Sequence, residues 1–172
     1  MEKYVIKKKV FTNDFCDEII DLCNNNKTEK ILNNNQNFYK SFLKTNDFDN
    51  IILFINLELK EQLKEMKYTF IKSELLLLHD YAFLKFEKDY GFISYSNDFT
   101  LYKQNIYSYI EFIIFLNDIS EGGEVEIAGC FKIKPEKGTL LLFPSGWCFP
   151  YSHKIPLLSN KYIISGKIYS KF

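Results

Sequence analysis

The chain has 172 residues, of which 47% are hydrophobic and 17% aromatic, enough apolar surface for one domain with a substantial core. Its 22 basic residues are all lysine and balance 22 acidic ones, so a net charge of zero offers no field to gather nucleic acid or anionic lipid. No apolar run approaches the length of a membrane span, and the basic start MEKYVIKKKVF leads into an amphipathic segment rather than a secretory signal.

Thr12 is placed to cap a helix over residues 13–23, where Phe15, Cys16, Ile19, Leu22 and Cys23 share one stripe. The asparagine runs at 24–26 and 33–35 read as a polar loop. A second helix is predicted over 47–66, with Ile51, Ile52, Ile55, Leu59 and Leu63 at helical spacing. From about Leu76 the pattern changes to short runs of Ile, Phe, Tyr and Leu punctuated by glycine and asparagine, and strands are predicted near 81–87, 92–96, 107–116, 124–127, 131–134, 139–143, 152–155 and 161–169. Cys16, Cys23, Cys130 and Cys148 have neither CxxC nor zinc-type spacing, and they read as free thiols of a cytoplasmic protein.

Two helices followed by about eight strands predict a mostly β, α+β single domain. Residues 1–75 form its helical N-terminal part, packed on one sheet. Residues 76–172 form a jelly roll with a central cavity.

Four pieces occur in order: LKFEKDYGFISYSND, FIIFLNDISEGGEVEI, IKPEKGTLLLFPS, and a histidine followed by a lysine-led last strand. With the opening KVFTNDFCDEIIDLC, they resemble the prolyl 4-hydroxylase-like branch of the Fe(II) and 2-oxoglutarate-dependent dioxygenases. The resemblance implies a double-stranded β-helix, an iron held by a His-x-Asp pair and a distal histidine, and a cation for the cosubstrate's far carboxylate. Asp98 then falls at the metal-binding carboxylate and His153 at the distal histidine, while Ser96 stands where the first histidine belongs. Strand alternation puts Ser96 and Asp98 on one face and Tyr95 on the other. His79 is the other imidazole of the sequence, 17 residues ahead of Ser96.

With no arginine, the implied anchor for 2-oxoglutarate is a lysine: Lys161, with Lys167 as the alternative. The interval from His153 to Lys161 is two residues shorter than the family pattern. Gly122-Gly123-Glu124 matches a scaffold turn. Read without the resemblance, His153 is a backbone-bonded loop histidine, Asp98 a turn residue and Lys161 a strand-edge lysine. Besides an unrelated β-sandwich that binds carbohydrate or protein, two functions stay open. One is an iron- and 2-oxoglutarate-dependent hydroxylase of a peptidyl side chain or a small molecule; the other is a degenerate barrel kept as a binding or structural module.

Overall fold

The computed structural model describes residues 4–25, 29–33, 36–42, 48–65, 75–77, 81–90, 92–96 and 100–171. In chain order the elements are β1 (Ile6–Lys9), α1 (Asn13–Asn25), β2 (Glu29–Asn33), β3 (Gln36–Phe42), α2 (Asp49–Glu65), β4 (Leu75–Leu76), β5 (Ala82–Phe86) and β6 (Phe92–Ser96). They continue with β7 (Leu101–Lys103), β8 (Ile106–Phe115), β9 (Val125–Ile127), β10 (Phe131–Ile133), β11 (Thr139–Pro144), β12 (Tyr151–His153) and β13 (Lys161–Lys171).

Nine strands form one sheet along the path β1-β11-β8-β13-β5-β3-β2, with β4 added to β13 and β7 to β8, and β10-β9-β12-β6 form the second sheet. From β5 onward the chain passes repeatedly from the large sheet to the small one and back, which is the jelly roll expected from the strand pattern. The longest strands sit at the centre of the large sheet, where β13 is flanked by β8 and β5, all antiparallel.

Alternation along those strands builds two cores. Ile110, Phe112, Ile114, Leu140, Leu142, Ile164 and Ile168 meet Cys16, Ile19, Cys23, Ile51, Ile55 and Leu59 of the helices. The opposite faces contribute Ile113, Phe115, Leu141, Phe143 and Ile163 to a second core shared with Val125, Ile127 and Tyr151 of the small sheet. The large sheet is therefore covered on one side by helices and on the other by the second sheet, and its inner face lines the barrel.

Both helices form close to their expected bounds. The Phe15 amide donates to Thr12 Oγ1 at 3.2 Å, the cap predicted from sequence. On α2 the buried Asn56 accepts a hydrogen bond from the Tyr81 hydroxyl, tying the helix to the strand entering the barrel. Removing that hydroxyl strands a buried amide oxygen, so Tyr81→Phe is expected to lower unfolding free energy by about 1–3 kcal/mol. A urea titration should show a lower midpoint at an unchanged slope.

The N-terminal part is not only helical. β1 lies along β11, with Ile6 opposite Leu142 and Lys9 opposite Thr139. The segment read as a polar loop contains a hairpin in which Glu29 pairs with Lys40 and Asn33 with Gln36, and β3 continues the large sheet beside β5. Three strands ahead of residue 76 thus belong to the main sheet.

Candidate functional site

The last strand opens inside the barrel. Lys161 pairs with Phe86 of β5, and strand alternation puts Lys161, Ile163, Ser165 and Lys167 on the inner face. Lys161 is fully buried. Its Nζ donates to the carbonyl of Gly123 at 2.9 Å, sits 4.5 Å from the centre of the Phe86 ring and lies 3.3 Å from His153 Nδ1. The carbonyl is aimed by the predicted glycine turn: Gly122 and Gly123 both have positive φ, at 71° and 72°, and the Gly123 amide donates to Ile155.

Among the described residues Lys161 has no carboxylate within ion-pair distance. Burial lowers its pKa from 10.5 to about 7, and the charge of Glu124 only partly offsets that. An ammonium so placed is one that an incoming carboxylate would stabilise.

His153 is the last residue of β12, buried and packed 4.8 Å from the Phe86 ring centre. Burial, reinforced by the Lys161 charge, holds its imidazole neutral, well below the ordinary histidine range. The contact with Lys161 fixes more than position. If the ammonium donates to Nδ1, the neutral ring carries its hydrogen on Nε2, and no lone pair on that nitrogen is free for a metal. If Nε2 were to ligate a metal, Nδ1 would carry the hydrogen and face an amine that must be uncharged. In this arrangement a metal on His153 and a cationic Lys161 exclude each other.

Ser96 ends β6 and stands directly opposite Tyr151, not His153. The register slips between Tyr151 and His153, leaving His153 opposite Phe92. Tyr151 is buried in the inner core and packs edge-on against Phe143 at 5.1 Å. Tyr95 points to the other face, as expected, where its hydroxyl donates to Glu126. Asp98 and His79 lie outside the described residues. The structure therefore brings His153 and Lys161 together at one depth of the barrel and sets Ser96 at another. Among the described residues, no three of His, Cys, Asp and Glu converge on a point that could hold a metal.

Sequence reasoning did not single out Tyr151, although one count pointed to it. Lys161 follows His153 by eight residues and Tyr151 by ten, so the two-residue deficit against the family pattern vanishes when counted from Tyr151. A cavity of about 250 Å³ opens beside Tyr151, lined also by Lys40, Thr100, Glu111, Ser165 and Lys167. Glu111 is buried and accepts from Ser145 Oγ at 3.0 Å, and Lys167 Nζ donates to Thr100 Oγ1 at 2.7 Å. The alternative lysine thus lines the described cavity six residues along the same face from Lys161, roughly 20 Å of extended strand.

No protein-family profile matches the sequence, and no curated protein matches it. Solved structures do. A viral collagen prolyl hydroxylase from Paramecium bursaria Chlorella virus 1, in complex with 2-oxoglutarate, superposes with a TM-score of 0.74 at 17% identity, covering 96% of each chain. A Pseudomonas putida prolyl 4-hydroxylase gives a TM-score of 0.71 at 10% identity, covering 97% of this chain and 91% of the other. A Trichoplax adhaerens prolyl hydroxylase, bound to a fragment of a hypoxia-inducible factor, gives 0.72 at 12% identity over 97% and 82%.

The chain has the fold of these oxygenases. Against that fold, Lys161 at the floor of the barrel is a buried amine with no carboxylate within ion-pair distance among the described residues, a group whose cationic form a carboxylate would stabilise, while the described cavity is lined by Lys167. The described part of the rim does not suit ferrous iron: a serine faces a phenol, both poor ligands for it beside imidazole, and the described imidazole, His153, is engaged with Lys161.

Proposed function

We propose that this chain is a dioxygenase-like protein of the Fe(II)/2-oxoglutarate type that has become a binding module. It takes 2-oxoglutarate or a similar dicarboxylate through Lys161, without the metal chemistry of the fold. The observation that carries this reading is the fully buried Lys161 ammonium with no ion-pair partner among the described residues, inside a barrel shared with a hydroxylase bound to 2-oxoglutarate. Residues 1–172 act as one domain. Two buried thiols, Cys16 and Cys23, and two exposed ones, Cys130 and Cys148, are unpaired, which supports the cytoplasmic setting. No described helix is long and apolar enough to cross a membrane.

A second reading is an active hydroxylase of a peptidyl side chain, with Asp98 and His153 holding Fe(II) and water completing the site. It is favoured by the fold shared with a hydroxylase in complex with a peptide fragment. In both readings the ligands are a dicarboxylate and a peptide or small molecule.

Calorimetric titration of the full chain with 2-oxoglutarate, with EDTA and with anaerobic Fe(II), separates the two. The binding module is expected to take up 2-oxoglutarate equally in both conditions, to show no visible charge-transfer band with Fe(II), and to form no succinate with candidate proline peptides. Metal-dependent uptake with succinate formation would establish the hydroxylase instead. No uptake in either condition would remove Lys161 as an anchor.

A further inference from the structure

β12 lies inside the small sheet between β9 and β6, and the residue of β12 that faces Ser96 decides what the rim can hold. Directly opposed residues of an antiparallel pair keep their Cβ atoms about 4.5–5.5 Å apart on one face of the sheet. That is the relation of Ser96 to Tyr151. His153 shares the inward face with Tyr151 but lies beyond the slip in register, opposite Phe92, and its ring is packed against Phe86 and Lys161.

We propose that Ser96 and Tyr151 form the rim pair of this barrel, standing where the oxygenases place their two imidazoles, and that His153 is a positioning residue for Lys161 rather than a metal ligand. This rests on the binding-module reading and deepens it: two of the three ligand positions are hydroxyls. The lone histidine of SHK has moved two residues deeper, where it holds the anchor lysine against Gly123. Of this pair Tyr151 lines the described cavity, and among the described residues the rim then offers hydroxyl oxygens rather than an imidazole to a metal.

The pair can be tested by building the missing chelate. Two histidines introduced at directly opposed positions close on one divalent ion, and the second imidazole then binds as an intramolecular ligand. Ser96→His with Tyr151→His is therefore expected to bind Ni(II) about 100-fold or more tighter than the wild type or either single variant. Nickel chloride titrated against the full chain, monitored by calorimetry and by quenching of Trp147, gives the affinities. Ser96→His alone keeps His153 intact and is expected to gain little.

The proposal is overturned if Ser96→His alone acquires the tight site and loses it on addition of His153→Ala, since His153 would then be the partner across the rim. It is equally overturned if the double variant folds, by circular dichroism, and binds Ni(II) no better than the singles. Should the double variant fail to fold, His153→Gln in the wild-type background decides. Weakened 2-oxoglutarate binding at unchanged Ni(II) affinity supports a partner of Lys161, and loss of a measurable wild-type Ni(II) site refutes it. Absence of 2-oxoglutarate binding in the wild type would sink the anchor reading, while the nickel chelate would still report which residue faces Ser96.

Discussion

Replacing Lys161 with methionine is expected to raise the stability of the ligand-free protein and to abolish binding of 2-oxoglutarate. The lysine falls from a pKa of 10.5 to about 7 on folding because burial penalises its charge. Such a fall corresponds to a penalty on the order of 5 kcal/mol, at about 1.4 kcal/mol per unit. Methionine fills a similar volume without charge, and it leaves the Gly123 carbonyl without its donor, a loss of about 1–3 kcal/mol. The first effect is larger, so the variant should gain about 2–4 kcal/mol near neutral pH, within the range seen when buried charges give way to apolar side chains.

The pH dependence makes this prediction sharper. Between pH 7 and 10.5 the unfolded chain holds a proton on this lysine that the folded chain has released. Unfolding therefore takes up a proton, and wild-type stability rises with pH through that window. Below it the full penalty is present. The methionine variant lacks this contribution, so its advantage should be greatest at or below neutral pH and shrink as the buffer is made alkaline. Urea titrations of both proteins at about pH 7.5 and pH 9.5 measure the difference, both above the range in which His153, whose imidazole also feels the Lys161 charge, takes up a proton. An advantage that does not change with pH would mean the lysine is not held against its charge. A carboxylate ligand should have the opposite effect on the wild type, drawing a proton onto Lys161, so its binding near neutrality should be accompanied by proton uptake that buffers of different ionisation enthalpy would reveal.

Local pattern was enough for the two helices and for most of the strand-rich half. β8, β11 and β13 are buried on both faces, and their runs of Ile, Leu and Phe are bounded by glycine or asparagine. β1 escaped notice because IKKK has no alternation of its own, and it is a strand only through its partner residues Thr139 to Leu142 on β11. The β2–β3 hairpin crosses an asparagine run whose composition favours a loop, and pairing with β5 overrides that preference. In the site, Lys161 and the glycine pair were legible because one begins a long strand and the other permits positive φ. Tyr151 was not, since residues two apart on a strand face the same way, and the choice between Tyr151 and His153 depends on a long-range register with β6.

The glycine turn beneath the anchor yields the second large effect. A Cβ on Gly122 would lie 2.2 Å from the backbone carbonyl of Ile155 and 3.0 Å from Leu157 Cγ. That carbonyl already accepts the Gly123 amide at 2.9 Å, and Gly122 bridges to Pro156, so the segment between β12 and β13 cannot retreat without breaking both contacts. Gly122→Ala is therefore expected to cost on the order of 3 kcal/mol or more, the sum of a strained left-handed backbone and an overpacked contact. Gly129 separates those two causes. Its φ of 70° is nearly the same, but the nearest atom to an added Cβ is the Tyr95 hydroxyl at 3.7 Å, so Gly129→Ala should show the backbone strain alone, about 1–2 kcal/mol. The two variants should also differ in binding: displacing residue 122 swings the Gly123 carbonyl away from Lys161, so 2-oxoglutarate affinity should fall in Gly122→Ala and hold in Gly129→Ala. Equal losses of stability in the two variants would show that the close approach to Ile155 adds nothing. Unchanged ligand affinity in a folded Gly122→Ala would show that the carbonyl does not position the lysine.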